Sequence, residues 1–265
     1  MLEITNLFYQ FGKKEILKGI TTRFKPGMLH VIVGPNGCGK STLMKVFSGE
    51  SVAGKGLVKY FGKDIATYEK SALAKSRAVM SQQPELYFPL TVAEIVMMGR
   101  YPHFNLKPTS EDEAICHQAM EKMELLAFAE RDYLTLSGGE KQRVHFARIL
   151  CQIWGAYEGE CKGLFLDEAV SHLDLKHQHQ LLQEAKKLSG LGSLVICILH
   201  DLNLAITYAD RILMMKEGRI RQELDDPYTI NPGMVREIFE VDAQIVKRQS
   251  NRPVIIFEPG NFTVY

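Results

Sequence analysis

Nine residues, Gly34, Pro35, Asn36, Gly37, Cys38, Gly39, Lys40, Ser41 and Thr42, have the types and spacing to hold phosphate. They fit G-x-x-x-x-G-K-S/T and directly follow the apolar run 29–33, which reads as a strand. The glycines let the backbone turn tightly and aim N–H groups at anionic oxygens. The helix that follows offers its positive amino end to the same anion. Lys40 is placed to reach the β- and γ-phosphates, and the Ser41 hydroxyl to ligate Mg2+. The pattern is that of an ATP or GTP site. Cys38 lies inside this loop, where modification of its thiol would obstruct phosphate.

A second glycine pair stands at Ser137-Gly138-Gly139-Glu140, ahead of an amphipathic helix carrying Val144, Ala147, Leu150, Cys151 and Trp154. It is another anion-binding helix end, in a chain that already has a phosphate loop. A dimer in which this end caps the γ-phosphate held by the other copy accounts for both. The apolar strand 164–166 ends in Asp167 and Glu168. The first suits the Mg2+ that Ser41 also touches, and the second suits orienting or deprotonating a water. His200 closes another apolar strand, 193–199, at the carboxyl end where α/β sheets place ligands. Gln82, where a strand meets a polar step and Pro84, can reach Mg2+ or water through its amide or merely satisfy its loop. His172, His177 and His179 suggest no metal, because His177 and His179 do not share a helix face.

These residues need elements to hold them. The pattern predicts strands over 2–11 and 16–24, a Pro26-Gly27 turn, the loop strand, a helix over 40–48 and a strand over 57–61. Short strands at this spacing imply a small antiparallel sheet beside the nucleotide core, and Phe11 or Tyr9 is available to stack on a purine. Further on come a helical portion within 64–75, a strand over 77–80 and a helix with Val92, Ile95, Val96 and Met98 on one face. Ser110 with Glu113 fits a capping box for a helix running to about Ala127. Residues 155–163 read as a polar loop, 175–188 and 202–209 as helices, and 211–215 and 220–224 as strands. A short helix over 231–239 and a late strand over 254–257 complete the pattern.

At 265 residues, with 46% hydrophobic and 24% charged side chains, the chain has the composition of a soluble globular protein. Its 32 basic and 31 acidic residues give no broad electrostatic case for a nucleic-acid partner. No apolar stretch reaches the roughly 20 residues of a membrane-spanning helix, and Glu3 and Asn6 interrupt any secretory leader. The expectation is a cytosolic protein that meets membranes through a partner. Five scattered cysteines make no paired metal spacing and suit free thiols in a reducing compartment.

Taken together, these motifs resemble the ATP-binding subunits of ATP-binding-cassette (ABC) transporters over essentially the whole chain. The phosphate loop is residues 34–42, the glutamine loop Gln82, and the signature 136–140. The acidic motif is 164–168, the D-loop Ser171-His172-Leu173-Asp174, and the switch histidine His200. The adenine-stacking aromatic falls on Phe11, before Gly12. The implied fold is α/β: a P-loop NTPase of ABC type, with a RecA-like core, an antiparallel β subdomain and an inserted α-helical subdomain. The implied layout is one nucleotide-binding domain over 1–265. Residues 1–83 form the β subdomain and first part of the core, 84–150 a helical subdomain, 151–240 the second part of the core and 241–265 a C-terminal strand region. Within the family, 88–92, 98–103, 173–179 and the loop 155–162 are most similar to importers of iron chelates, haem and cobalamin, and to the haem import ATPases among them.

The resemblance implies a homodimer that sandwiches two MgATP. Lys40 and the loop bind phosphate, Ser41, Gln82 and Asp167 organise Mg2+, and Glu168 activates water. His200 holds the γ-phosphate, while Ser137, Gly138, Gly139, Glu140 and Asp174 contribute to the nucleotide sites. It further implies two copies of a membrane permease, a periplasmic or lipoprotein haem-binding protein acting through it, and a peripheral place on the inner face of the plasma membrane. Ala169 departs from the family's proline, which predicts a looser loop behind Glu168. Ferric-siderophore or cobalamin import is the near alternative. A cassette ATPase acting on nucleic acid or ribosomes is the remote one, since such proteins usually join two cassettes or carry a coiled insertion. A scaffold that binds ATP without hydrolysis is opposed by Gln82, Asp167, Glu168 and His200.

Overall fold

A computed structural model of the chain describes residues 1–52, 54–81, 89–247 and 252–258. In order the elements are β1 (Leu2–Phe11), β2 (Lys14–Phe24), β3 (Leu29–Val33), α1 (Lys40–Phe47), β4 (Lys55–Tyr60), β5 (Lys63–Asp64), α2 (Lys70–Ser76), β6 (Arg77–Met80), α3 (Val92–Met97) and α4 (Ser110–Lys122). They continue as α5 (Gly138–Gln152), β7 (Gly163–Asp167), α6 (Leu175–Gly190), β8 (Leu194–Ile198), α7 (Leu202–Tyr208), β9 (Arg211–Lys216), β10 (Arg219–Leu224), α8 (Pro232–Phe239), β11 (Ala243–Lys247) and β12 (Pro253–Phe257). The chain divides into two compact units, residues 1–66 with 197–265, and residues 67–196.

In the first unit, the expected antiparallel sheet has the order β2-β1-β4-β5. Its β1–β2 register runs from Leu2 opposite Phe24 to Phe11 opposite Lys14. Beside it lies the nucleotide-type core: β3 pairs with β9 in parallel, and β9 pairs with β10 in antiparallel. All five residues of β3 are buried, as a strand covered on both faces requires. Side chains such as Leu29 and Ile32 contribute about 1.5–3 kcal/mol each through burial. β11 and β12 form a separate hairpin. The pattern predicts only its second strand, because the first alternates too weakly to stand out. Asn231 caps α8 with Pro232 at the first helical position, one residue inside the expected start.

The second unit pairs β6 with β7 in parallel, Arg77 opposite Gly163 to Met80 opposite Leu166. Its helices carry two corrections to the sequence reading. The cap of α4 is Thr109, with Asp112 rather than Glu113 closing the box. This register turns Asp112 inward to Arg100, whose Nε donates to it at 2.8 Å. The helix also stops at Lys122 rather than near Ala127, and Glu124 takes φ 54° just beyond it. The expected loop at 155–163 begins as a 3-10 turn over Trp154–Glu158, held by Trp154 packing on Tyr157 with ring centroids 4.7 Å apart. Tyr157 also donates its hydroxyl to Glu184. No helix among the described residues is long and apolar enough to cross a membrane.

Candidate nucleotide site

The phosphate loop belongs to the first unit, between β3 and α1. Gly34 (φ 155°), Gly37 (φ 72°) and Gly39 (φ 106°) all take backbone angles that side chains disfavour. At Gly34 the requirement is also steric: an added Cβ would stand 2.2 Å from the Met215 carbonyl oxygen and 3.0 Å from Cys38 Sγ. Gly39 leads into α1 in a left-handed conformation with no side-chain cap. No acidic side chain stands in the first turn of α1 to compete there with an anion. Lys40 is 5% exposed. Its ammonium donates to the Gly34 carbonyl at 2.8 Å and the Pro35 carbonyl at 3.0 Å, inside the curl of the loop.

The loop is propped from behind by the β9–β10 turn. Gly218 N–H donates to Cys38 O at 3.0 Å, and Lys18 N–H donates to Gly218 O at 2.9 Å. Cys38 is buried, and that burial raises its thiol pKa against the opposing pull of Lys40. Asn36 is exposed at the loop's outer bend, while Ser41 and Thr42 open α1, both half-buried. Phe11 ends β1 with 77% of its surface exposed. His200 follows β8 in this unit, exposed, and Asp201 next to it caps α7 through bonds to the Asn203 and Leu204 amides.

The carboxylates and the second glycine pair belong to the second unit. β7 is buried throughout, which carries Asp167 to a 5%-exposed position at its end. Glu168 then turns the chain at φ 54°. The loop behind it is tied rather than loose: Gln142 Nε2 donates to the Ala169 carbonyl at 2.5 Å, and Ser171 Oγ donates to the Glu168 carbonyl at 2.9 Å. Gln142 is thus a positioning residue that the motif reading passed over. Its signal in the sequence is a polar side chain on the buried face of α5.

Ser137 caps α5, accepting from Glu140 N–H at 3.3 Å, and Glu140 accepts from Ser137 N–H at 2.7 Å. Those bonds from Ser137 hold the Glu140 carboxyl below its ordinary range. Gly138 has open space where a Cβ would be, and a Cβ on Gly139 would sit 3.3 Å from the His172 carbonyl, so the glycine pair leaves the helix end bare beside the 171–174 turn. Asp174 caps α6 by accepting from His177 N–H at 2.9 Å and its ring Nδ1 at 2.8 Å, bonds that lower its carboxyl pKa. That bond holds the His177 ring against its own helix end, and no group of three His, Cys, Asp or Glu among the described residues is arranged to hold a metal. Gln82 lies outside the described residues.

Residues 17–171 match the model of the ABC transporter family, more than half of the chain. The chain belongs to the ABC transporter family. It is an ABC-type ATPase with the mixed α/β fold of that family. It is 40% identical to the hemin import ATP-binding protein HmuV of Hahella chejuensis over 247 residues, 93% of this chain and 95% of that protein. The HmuV of Deinococcus radiodurans is 39% identical over 256 residues, 96% of each chain. Among solved structures, a metal-chelate-type ABC transporter in an inward-facing conformation shares the fold at TM-score 0.79 and 24% identity, covering 97% of this chain and 96% of that one. The ABC cassette MJ0796, solved as a dimer with ADP and Pi, aligns at TM-score 0.72 and 26% identity over 84% of this chain and 97% of that one.

Proposed function

We propose that this ATPase powers the import of haem through a membrane permease, two copies of the chain acting on two copies of the permease from its inner face. The observation that carries the substrate is the 39–40% identity to HmuV relatives along more than nine-tenths of both chains. A periplasmic or lipoprotein haem-binding protein delivers the cargo, and no nucleic acid takes part.

The reaction is ATP + H2O to ADP + phosphate. The buried Lys40 ammonium and the glycine-freed amides receive the phosphates, a role the local geometry fits because the cation is held inside the loop by the Gly34 and Pro35 carbonyls. Phe11 stacks on the base. Mg2+, a hard cation that takes oxygen ligands, suits the donors Ser41, Gln82 and Asp167, and when bound it offsets charge on the phosphates. Glu168 orients the attacking water and takes its proton, and His200 donates to the γ-phosphate. Ser137, Gly138, Gly139, Glu140 and Asp174 act toward the nucleotide held by the other copy. We assign the whole chain to one nucleotide-binding domain, with residues 84–150 as the helical subdomain that reaches the permease.

The test is affinity purification of tagged Glu168→Gln protein with MgATP from detergent-solubilised membranes, followed by mass spectrometry. A multi-span permease with a haem-binding protein supports the proposal. A permease with a corrinoid- or siderophore-binding protein replaces the substrate. Soluble ribosomal or nucleic-acid proteins alone overturn the transport reading.

A further inference from the structure

Three helices of the second unit each bring one sulfur to a common place. Met97 ends α3, Cys116 lies midway along α4, and Cys151 sits in the last turn of α5. The Cys116 thiol donates to the Met97 thioether with Sγ and Sδ 3.8 Å apart, and Cys151 is the neighbour that most strongly lowers the Cys116 thiol pKa. Cys151 Sγ also lies 4.0 Å from the Ile115 carbonyl. Cys116 is 3% exposed and Cys151 fully buried, whereas Met97 is half-buried.

We propose that Met97, Cys116 and Cys151 form a soft-cation site, taking one Cu(I), or Ag(I) in its place, between α3, α4 and α5. Thiolate and thioether sulfurs select soft ions over the hard cations that oxygen ligands hold. Three sulfurs around one ion, with metal–sulfur bonds of about 2.3 Å, stand about 4.0 Å from one another in a trigonal arrangement. The 3.8 Å already present between Cys116 and Met97 is close to that spacing. Both thiols lose their protons to solvent on binding and no electron is transferred. One Cu(I) with two thiolates carries a net negative charge, and the neighbouring Arg100 guanidinium, which donates to the Cys151 carbonyl at 2.9 Å, shares its own charge with Asp112. The approach is close by construction, since a Cβ on Gly99 would be 3.1 Å from Cys151 Cβ. The site is independent of the nucleotide chemistry and of the transport reading. Occupied, it would tie α3 and α4 to the carboxyl end of α5.

The experiment titrates reduced full-length protein with Cu(I) under anaerobic conditions against a chromophoric Cu(I) chelator, and takes X-ray absorption spectra of the loaded wild type. The expected result is one Cu(I) per chain with three sulfurs at about 2.3 Å. Cys116→Ser and Cys151→Ser should each lower affinity by about 100-fold or more, and Cys161→Ser, an exposed thiol, should leave it unchanged. Met97→Leu conserves volume and so should keep the melting temperature while reducing the coordination from three sulfurs to two. Absence of binding, nitrogen or oxygen coordination in the wild type, or unchanged affinity in the Cys116 and Cys151 variants would overturn the site. A chain that holds no Cu(I) but forms a Cys116–Cys151 disulfide with peroxide would overturn it in favour of a redox pair.

Discussion

Replacing Gly34 with alanine tests how far the phosphate loop depends on one missing side chain. The new Cβ would meet the Met215 carbonyl oxygen at 2.2 Å, and that oxygen belongs to β9, the strand paired with β3. A flexible side chain could swing away, but a strand backbone cannot without breaking its ladder. The backbone angle of 155° adds a second penalty. Strain of about 1–3 kcal/mol from the disfavoured conformation and about 1–3 kcal/mol from overpacking together give a loss of about 2–6 kcal/mol. That is a large part of the roughly 5–15 kcal/mol that holds a domain folded.

Gly37 supplies the control within the same loop. Its φ is 72° but an added Cβ meets nothing within 4 Å, so Gly37→Ala should cost only the left-handed penalty of about 1–2 kcal/mol. Urea denaturation followed by circular dichroism measures both, and a fluorescent ATP analogue reports the loop. The expected order is wild type, then Gly37→Ala, then Gly34→Ala, with nucleotide binding lost in the last. Equal stability of the two variants would refute the close approach to Met215.

Phe11→Ala should weaken binding of the ATP analogue by about 1–3 kcal/mol without changing the denaturation midpoint, because the exposed ring has base stacking to lose and no core packing; unchanged affinity would remove Phe11 from the site. Burial raises the Asp112 carboxyl, yet the bonds from Thr109 and Arg100 outweigh it and leave the pKa below its ordinary value. Asp112→Ala strands the Arg100 charge and should cost about 3–5 kcal/mol by denaturation, while the Arg100→Met, Asp112→Leu double variant recovers most of it. His30 and His145 are both buried and held down to about 4 by that burial. Since the unfolded chain takes up protons first, stability should be complete above pH 6.5 and fall by about 3 kcal/mol per histidine as pH drops to about 4. His30→Gln should remove part of that slope in denaturation curves taken across the window.

The elements that carry the site were legible because their signals are local. β8 is a short unbroken apolar run, β3 is interrupted only by His30 and β7 is apolar up to its closing Asp167, and the loop after β3 has a spacing that little else requires. Elements that depend on distant partners were not. Ser110 and Thr109 are equal candidates for a cap until Arg100, in another element, chooses Asp112. β11 is a strand only because β12 pairs with it. Alanine at 169 in place of the family's proline suggested slack that Gln142, 27 residues earlier, in fact takes up. The convergence of Met97, Cys116 and Cys151 has no sequence signature, since its members are spread over three helices.

Glu168 turns the chain at φ 54°, a conformation that asparagine and glycine adopt more readily. Replacing it with asparagine would relax the backbone by about 1 kcal/mol while removing the carboxylate assigned to water activation. Damage at this position is therefore invisible to the proteases and chaperones that recognise unfolded chains. A hydrolytically silent copy would persist at full abundance and occupy permeases in place of working ones, so that variation at 168 would act dominantly rather than by simple loss.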